Sequence, residues 1–273
     1  MHISNLRYRH LSYEDLSALE GWMAYVAENG FDGIELIYRT LPCDMSLIAR
    51  TKELVKRYGM PVSMVTSSHD NSVFTEEEKQ KASATLKAYV NLATEFESQF
   101  IRVLARGYDR QRKEISLQRA IDAVVDVFER ALPYAARQDV IFALENHPGF
   151  GAEKSVIQAI LERIPDPYLG WNCDFVNAYR IEGQTLYDFL NEESLLSRLV
   201  HVHAKTFAET PDGWDIGVAL DEGDLDVAHF LHIIKGTGYD GWISIEFGAT
   251  NREKIIRSKQ FIEKVWGMDR GNN

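Results

Sequence analysis

The sequence predicts one (β/α)8 barrel, a TIM barrel, spanning residues 1–273 as a single domain. Three observations carry the prediction. Short apolar, β-branched runs alternate eight times with segments of helical periodicity, the pattern of a parallel sheet with helical crossovers. The chain is as long as one such barrel, which takes about 250 residues and therefore repeats every ~31. Finally, apolar runs end on Glu145, Asp174, His203 and Glu246, and the first three of these stand 29 residues apart. A doubly wound open sheet is the competing fold, but no G-x-G-x-x-G or Walker loop follows any strand.

In order, His2 to Leu6 reads as the first strand, with a polar, aromatic loop from Asn5 to Ser12 after it. Ser12 is placed to cap a helix from Tyr13 to Glu28, which Asn29-Gly30 stops. Gly33 to Ile37 is the second strand, and its helix runs from Ser46 to Tyr58 before Gly59 and Pro61. Pro61 to Ser67 is the third strand, with Ser68-His69-Asp70-Asn71 in its loop. The following helix, Thr75 to Ser98, opens on a Thr-Glu-Glu-Glu capping pattern; its acidic run Glu76-Glu77-Glu78 complements the helix dipole.

Phe100 to Leu104 is the fourth strand, and Ile115 to Arg137 is a helix whose apolar residues recur at helical spacing. Val140 to Glu145 is the fifth strand, turned by Asn146-His147-Pro148-Gly149 into a helix from Glu153 to Arg163. Leu169 to Asp174 is the sixth, followed by a looser helix from Thr185 to Asn191. Leu199 to Lys205 is the seventh, with a long polar loop from Thr206 to Asp224 and a helix from Asp226 to Gly236. Gly238-Tyr239-Asp240-Gly241 turns into the last strand, Trp242 to Glu246, and Arg252 to Trp266 closes the ring.

A barrel of this kind keeps its chemistry at the C-terminal ends of its strands. Glu145, Asp174, His203 and Glu246, at four consecutive strand ends, therefore converge on one point and read as a metal site. Three carboxylates and one imidazole make an oxygen-rich donor set, which favours one Mn²⁺ or Mg²⁺, with Co²⁺ or Zn²⁺ as alternatives. His201 and His203 share a face of their strand; hydrogen-bonded core histidines are the alternative reading, kept for His201, one layer below.

Other candidates are weighed the same way. His69 and His147 sit on the same rim as the acids, where each either contacts substrate or is merely solvated or supporting. Lys205, two residues beyond His203, is the best additional group for holding a substrate oxygen. Glu35 and Arg102 both point into the barrel and are expected to pair with each other. Trp171 and Trp242 read as packing.

Composition bounds the rest. The 45% apolar fraction suffices for a sizeable core, and no apolar run approaches the ~18 residues of a membrane span. The N-terminal residues lack a basic-then-apolar signal, and Cys43 and Cys173 stand alone without a C-x-x-C, so a reducing cytoplasm is expected. Thirty basic against 41 acidic residues give a net charge of −11, which disfavours binding to a phosphate backbone.

Three stretches, in order and at barrel spacing, resemble the xylose isomerase-like TIM barrels, the family of ketose 3-epimerases, inosose isomerases and dehydratases, and the more distant endonuclease IV. They are Leu144-Glu145-Asn146-His147, then His201-Val202-His203-Ala204-Lys205, then Glu222-Gly223-Asp224-Leu225-Asp226 leading to Gly238-Tyr239-Asp240-Gly241 and Trp242 to Glu246. The resemblance runs nearly end to end and implies one divalent ion held by Glu145, Asp174, His203 and Glu246. It also implies proton transfer next to a carbonyl, through an enediolate, with Glu145 and Glu246 as the catalytic pair.

The sequence departs from that family in three places. The His that many relatives carry three residues past the sixth-strand Asp is Asn177 here, able to bond a substrate hydroxyl but not to ligate or act as a base. Lys205 is followed by Thr206 where Asp is common. The loop from Thr206 to Asp224 contains no Arg or Lys, which speaks against a phosphorylated substrate gripped from that loop. The expectation is a metal-dependent isomerase or epimerase of a small sugar or cyclitol, with a homo-oligomer left open. A dehydratase of a keto-cyclitol or dehydroshikimate-like substrate is the alternative, ahead of a nuclease or a barrel that only binds a ligand.

Overall fold

The structure is a computed structural model in which residues 1–7, 16–38, 41, 44–106, 115–247 and 251–268 are described. Eight parallel strands close into a barrel: β1 (His2–Arg7), β2 (Gly33–Tyr38), β3 (Val62–Asp70), β4 (Phe100–Leu104), β5 (Ile141–Glu145), β6 (Leu169–Asp174), β7 (Leu199–Ala204) and, after a hairpin of β8 (Ala208–Thr210) and β9 (Gly213–Asp215), β10 (Trp242–Phe247). Neighbours in sequence are neighbours in the ring, and β10 closes it against β1.

The outer layer consists of α1 (Leu16–Glu28), α2 (Met45–Tyr58), α3 (Glu76–Glu95), α4 (Leu117–Arg137), α5 (Lys154–Arg163), the short α6 (Leu186–Leu190) and α7 (Glu193–Leu196), α8 (Val227–Gly236) and α9 (Arg252–Trp266). Local chemistry sets several of their ends. Asp44 caps α2, and Gly59, with φ +59°, ends it in a left-handed turn that only glycine adopts freely. Thr75 and Glu78 form the capping box expected at the start of α3. None of the described helices is long and apolar enough to cross a membrane.

Side-chain alternation divides each strand between two environments. Ile34, Leu36, Val65, Ile101, Val103, Phe142, Leu144 and Val202 face the helices and make the apolar core. The alternate positions fill the barrel with buried polar groups, among them Ser4, Glu35, Thr66, Arg102, Asn172, His201 and Ser244. Trp171 packs as expected, stacked 5.7 Å from Phe189.

Some elements differ from the sequence reading. The third strand continues to Asp70, past a register shift between Thr66 and Asp70, so His69 is a strand residue rather than a loop residue. The polar stretch after β7 contains the β8–β9 hairpin, pinned by Phe207 stacked on Trp214 at 4.2 Å. Three-residue strands are too short for alternation to reveal them. The Asn5 to Ser12 loop beyond Arg7, the Ser12 cap, the helix start at Tyr13, and Cys43 lie outside the described residues.

Candidate metal centre

The strand ends bring together the four residues that spacing singled out. Glu145 closes β5 and Asp174 closes β6, His203 stands opposite Asp174 in the β6–β7 register, and Glu246 lies on β10. All four are buried, and one donor atom from each lies within 4.8 Å of the others. His203 Nδ1 is 3.0 Å from Glu145 Oε1 and 3.2 Å from Glu246 Oε2, so the two glutamates meet the same edge of the imidazole.

Several contacts hold the acids in place. Asp174 Oδ1 accepts the backbone N–H groups of Val176 (3.0 Å) and Asn177 (2.8 Å), a local turn that aims Oδ2 into the site. The Asn146 amide donates to Asp174 O and accepts from Asp174 N, both at 2.8 Å, and also accepts from the Trp171 indole at 3.1 Å. Asn146 thus clips β5 to the end of β6 through its side chain. Gly149, at φ +118°, lets the next turn pass Arg106, whose carbonyl oxygen would stand 2.1 Å from any added Cβ.

Two cations border the acids. Lys205 Nζ lies 2.7 Å from Asp174 Oδ2 and 3.2 Å from Glu246 Oε1. Arg102 Nη1 lies 3.1 Å from Glu145 Oε2, and its Nε and Nη2 donate to Ser67 O. The expected Glu35–Arg102 couple is therefore not formed. Glu35 turns instead to the histidines: both of its oxygens are 3.2 Å from His203 Nε2, and Oε2 is 3.5 Å from His201 Nε2. Arg102 reaches Glu145 on the neighbouring β5, whereas Glu35 on β2 reaches across the barrel to β7, a distinction that facing alone does not reveal.

The electrostatics suit a cation. Burial pushes the Asp174 carboxyl up to about 7, with Glu246 and Glu145 adding to the effect and Lys205 working against it. Glu246, despite burial, is drawn down to about 2 by Lys205 and His203. Burial is likewise outweighed at Glu145, which Arg102, His147 and His203 hold well below the usual carboxylate range. Glu145 Oε2, Asp174 Oδ2 and Glu246 Oε2 are buried without a hydrogen bond, although Arg102, Lys205 and His203 stand at ion-pair distance from them. Buried acceptors of this kind are normally satisfied. Three buried carboxylate oxygens held by ion pairs and gathered around one imidazole fit a divalent cation of the oxygen-preferring kind.

The remaining candidates separate. Burial lowers His147 to about 4, with Glu145 working against it and Arg102, Arg106 and Lys205 adding to it, so its ring is neutral at neutral pH. His69 Nε2 is buried and finds no hydrogen-bond partner among the described residues. Asn177 is buried and contributes its backbone N–H to Asp174. His201 bonds Ser244 Oγ at 2.9 Å beneath the site, as expected of a hydrogen-bonded core histidine. The sequence reading gave Asn146 no role of its own, although it stands in the Leu144-Glu145-Asn146-His147 stretch, and it misassigned Glu35.

Fold and site together define a (β/α)8 barrel with a buried, carboxylate-rich cluster that could hold a cation at the C-terminal end of its strands. Residues 23–265 match the model of the xylose isomerase-like TIM barrel family, and the chain belongs to that family. Among solved structures it is similar to a D-tagatose 3-epimerase-like protein, with 21% identity and a TM-score of 0.79 over 98% of this chain and 97% of the other. It is also similar to the probable 3-DHS dehydratase AsbF of Bacillus anthracis, involved in petrobactin synthesis (19%, 0.67, 96% and 98%). A third is a xylose isomerase-like TIM barrel protein from Mycobacterium smegmatis in complex with magnesium (14%, 0.74, 97% and 97%). At these identities the likeness is one of fold. No curated protein matches the chain.

Proposed function

We propose that the protein is a divalent-metal-dependent isomerase or epimerase of a small unphosphorylated sugar or cyclitol, acting by proton transfer next to a carbonyl. The observation that carries this reading is the convergence of Glu145, Asp174, His203 and Glu246 within 4.8 Å, with a glutamate supplied from either end of the β5–β6–β7–β10 arc. These four residues would hold one ion, with Mn²⁺ or Mg²⁺ favoured by the donor set. A bound divalent ion would polarise the carbonyl and neighbouring hydroxyl and stabilise the enediolate.

The protein's own groups do the rest. Glu145 and Glu246 are both held ionised by the cations beside them, so either can take the proton from the carbon next to the carbonyl. The other returns a proton, from the opposite face in an epimerase. The proton it returns comes from solvent, because Lys205, 3.2 Å from Glu246 Oε1, favours the ionised carboxylate and is itself too weak an acid to supply it. His69, His147, Asn177 and Lys205 are the proposed substrate contacts; the unpartnered Nε2 of His69 supports the first. The likeness to an epimerase-like protein and to a complex with magnesium supports the same reading.

One observation favours a second reading. Glu145 and Glu246 both lie against His203 Nδ1, so the carboxyl that has taken the proton could pass it to a leaving hydroxyl, and the fold is shared with a probable dehydratase. The experiment that tests both uses metal-loaded protein in D₂O with a panel of unphosphorylated ketoses and keto-cyclitols, followed by NMR. An epimerase gives an inverted product carrying deuterium, and an isomerase moves the carbonyl. A dehydratase gives an enone or diketone with a new ultraviolet band. Nicking of abasic DNA at catalytic rates, with no exchange across the panel, would overturn the sugar reading.

A further inference from the structure

His203 is the one nitrogen ligand in the proposed set, and an imidazole can offer a metal only the ring nitrogen that carries no hydrogen. Which nitrogen that is depends on what the other one bonds. His203 Nδ1 faces Glu145 Oε1 and Glu246 Oε2, at 3.0 and 3.2 Å, and so looks toward the other proposed ligands. Nε2 points the opposite way, to the Glu35 carboxylate, with both oxygens at 3.2 Å.

Glu35 is itself fixed. It is 3% exposed and sits on β2, far from β7 in sequence and across the barrel from it. Thr66 on β3 donates its hydroxyl to Glu35 Oε1. His201 Nε2 approaches Oε2 at 3.5 Å while bonding Ser244 Oγ at 2.9 Å. Burying a carboxylate is costly unless it is paired, and its partners here are the two histidines and one hydroxyl. No described lysine or arginine forms an ion pair with it.

We propose that Glu35 is a positioning residue for the metal centre: it accepts the Nε2–H of His203, which leaves Nδ1 as the ligand nitrogen and fixes the angle of the ring. The proposal rests on reading Glu145, Asp174, His203 and Glu246 as the metal site. A carboxylate behind a ligating imidazole orients the ring and raises its basicity, and loss of such a partner typically weakens metal binding 10–100-fold. Glu35, His201 and His203 also lie close enough to hold an ion of their own. The rival role for Glu35 is therefore that of a ligand in a second site sharing His203.

Mn²⁺ titration of the metal-free protein, by calorimetry or by the EPR signal of the free ion, separates these roles. Wild type is expected to bind one equivalent. Glu35→Ala should weaken the Kd about 10–100-fold with the stoichiometry still one, and Glu35→Gln, whose amide oxygen can still accept from Nε2–H, should fall between. In a His203→Ala background, Glu35→Ala should change the Kd less than twofold, because it acts through that ring; a general structural weakening would persist there.

A second measurement needs no variant. In the ¹⁵N-histidine-labelled, Mg²⁺-loaded wild type, long-range ¹H–¹⁵N spectra should show the His203 hydrogen on Nε2. A hydrogen on Nδ1 would overturn the proposal. So would a folded Glu35→Ala protein with unchanged Kd, or two equivalents in wild type falling to one on loss of Glu35. Absence of Mn²⁺ binding by wild type would overturn the metal reading itself, and the proposal with it. One equivalent bound equally by wild type and Glu35→Ala would overturn the proposal alone.

Discussion

Replacing Arg102 by Met should destabilise the metal-free protein by about 4 kcal/mol. Met keeps much of the apolar stem, so little cavity is left, but the guanidinium is lost. That group is 3.1 Å from Glu145 Oε2 and also donates twice to Ser67 O, with both side chains buried. Removing one member of a buried pair costs about 3–5 kcal/mol, because the remaining charge is left uncompensated in a poor solvent. Losing the bonds to Ser67 O contributes about 1 kcal/mol within that total.

At roughly 2–4 °C per kcal/mol, the midpoint should fall by about 8–16 °C in a thermal scan, with a matching shift of the urea midpoint. Saturating Mn²⁺ should recover part of the loss, since it binds only the folded site and offsets the Glu145 charge. The double variant Arg102→Met/Glu145→Gln should regain more than half of it by removing the stranded carboxylate. A single variant within about 1 kcal/mol of wild type, or a double variant no more stable than the single, would refute this account of the Arg102–Glu145 pair.

Glu145→Gln and Glu246→Gln should each lower kcat by more than about 100-fold on whichever substrate the D₂O panel identifies; near-normal turnover in Glu246→Gln would rule out the two-carboxylate mechanism. Lys205→Ala should raise KM more than it lowers kcat in steady-state assays, and an effect confined to kcat would move Lys205 from substrate contact to holding Glu246 ionised. Asn146→Ala removes three bonds to Asp174 and the Trp171 indole and strands the buried Asp174 N–H. It should cost about 2–3 kcal/mol in urea unfolding and weaken Mn²⁺ binding through Asp174, while a stability within 0.5 kcal/mol of wild type would show the clip to be dispensable.

The barrel and the convergence of four strand-end residues were legible in the sequence because both follow from periodicity. Apolar runs of strand length, separated by helical segments, leave few topologies. Residues at equivalent strand ends then fall on one rim, so Glu145, Asp174, His203 and Glu246 could be named from their spacing. Capping chemistry also reads directly, since the Thr75–Glu78 box is a contact between residues three apart. Partners inside the barrel are a different matter. Glu35 and Arg102 both point inward, and facing alone does not say whether they meet. Only the distances inside the closed ring decide it, putting Arg102 on Glu145 of the neighbouring strand and Glu35 on His203 across the barrel. The Asn146 clip and the Phe207–Trp214 stack are likewise contacts made through space. Strand ends repeat with the chain, whereas side-chain pairing depends on distances that exist only once the ring has closed.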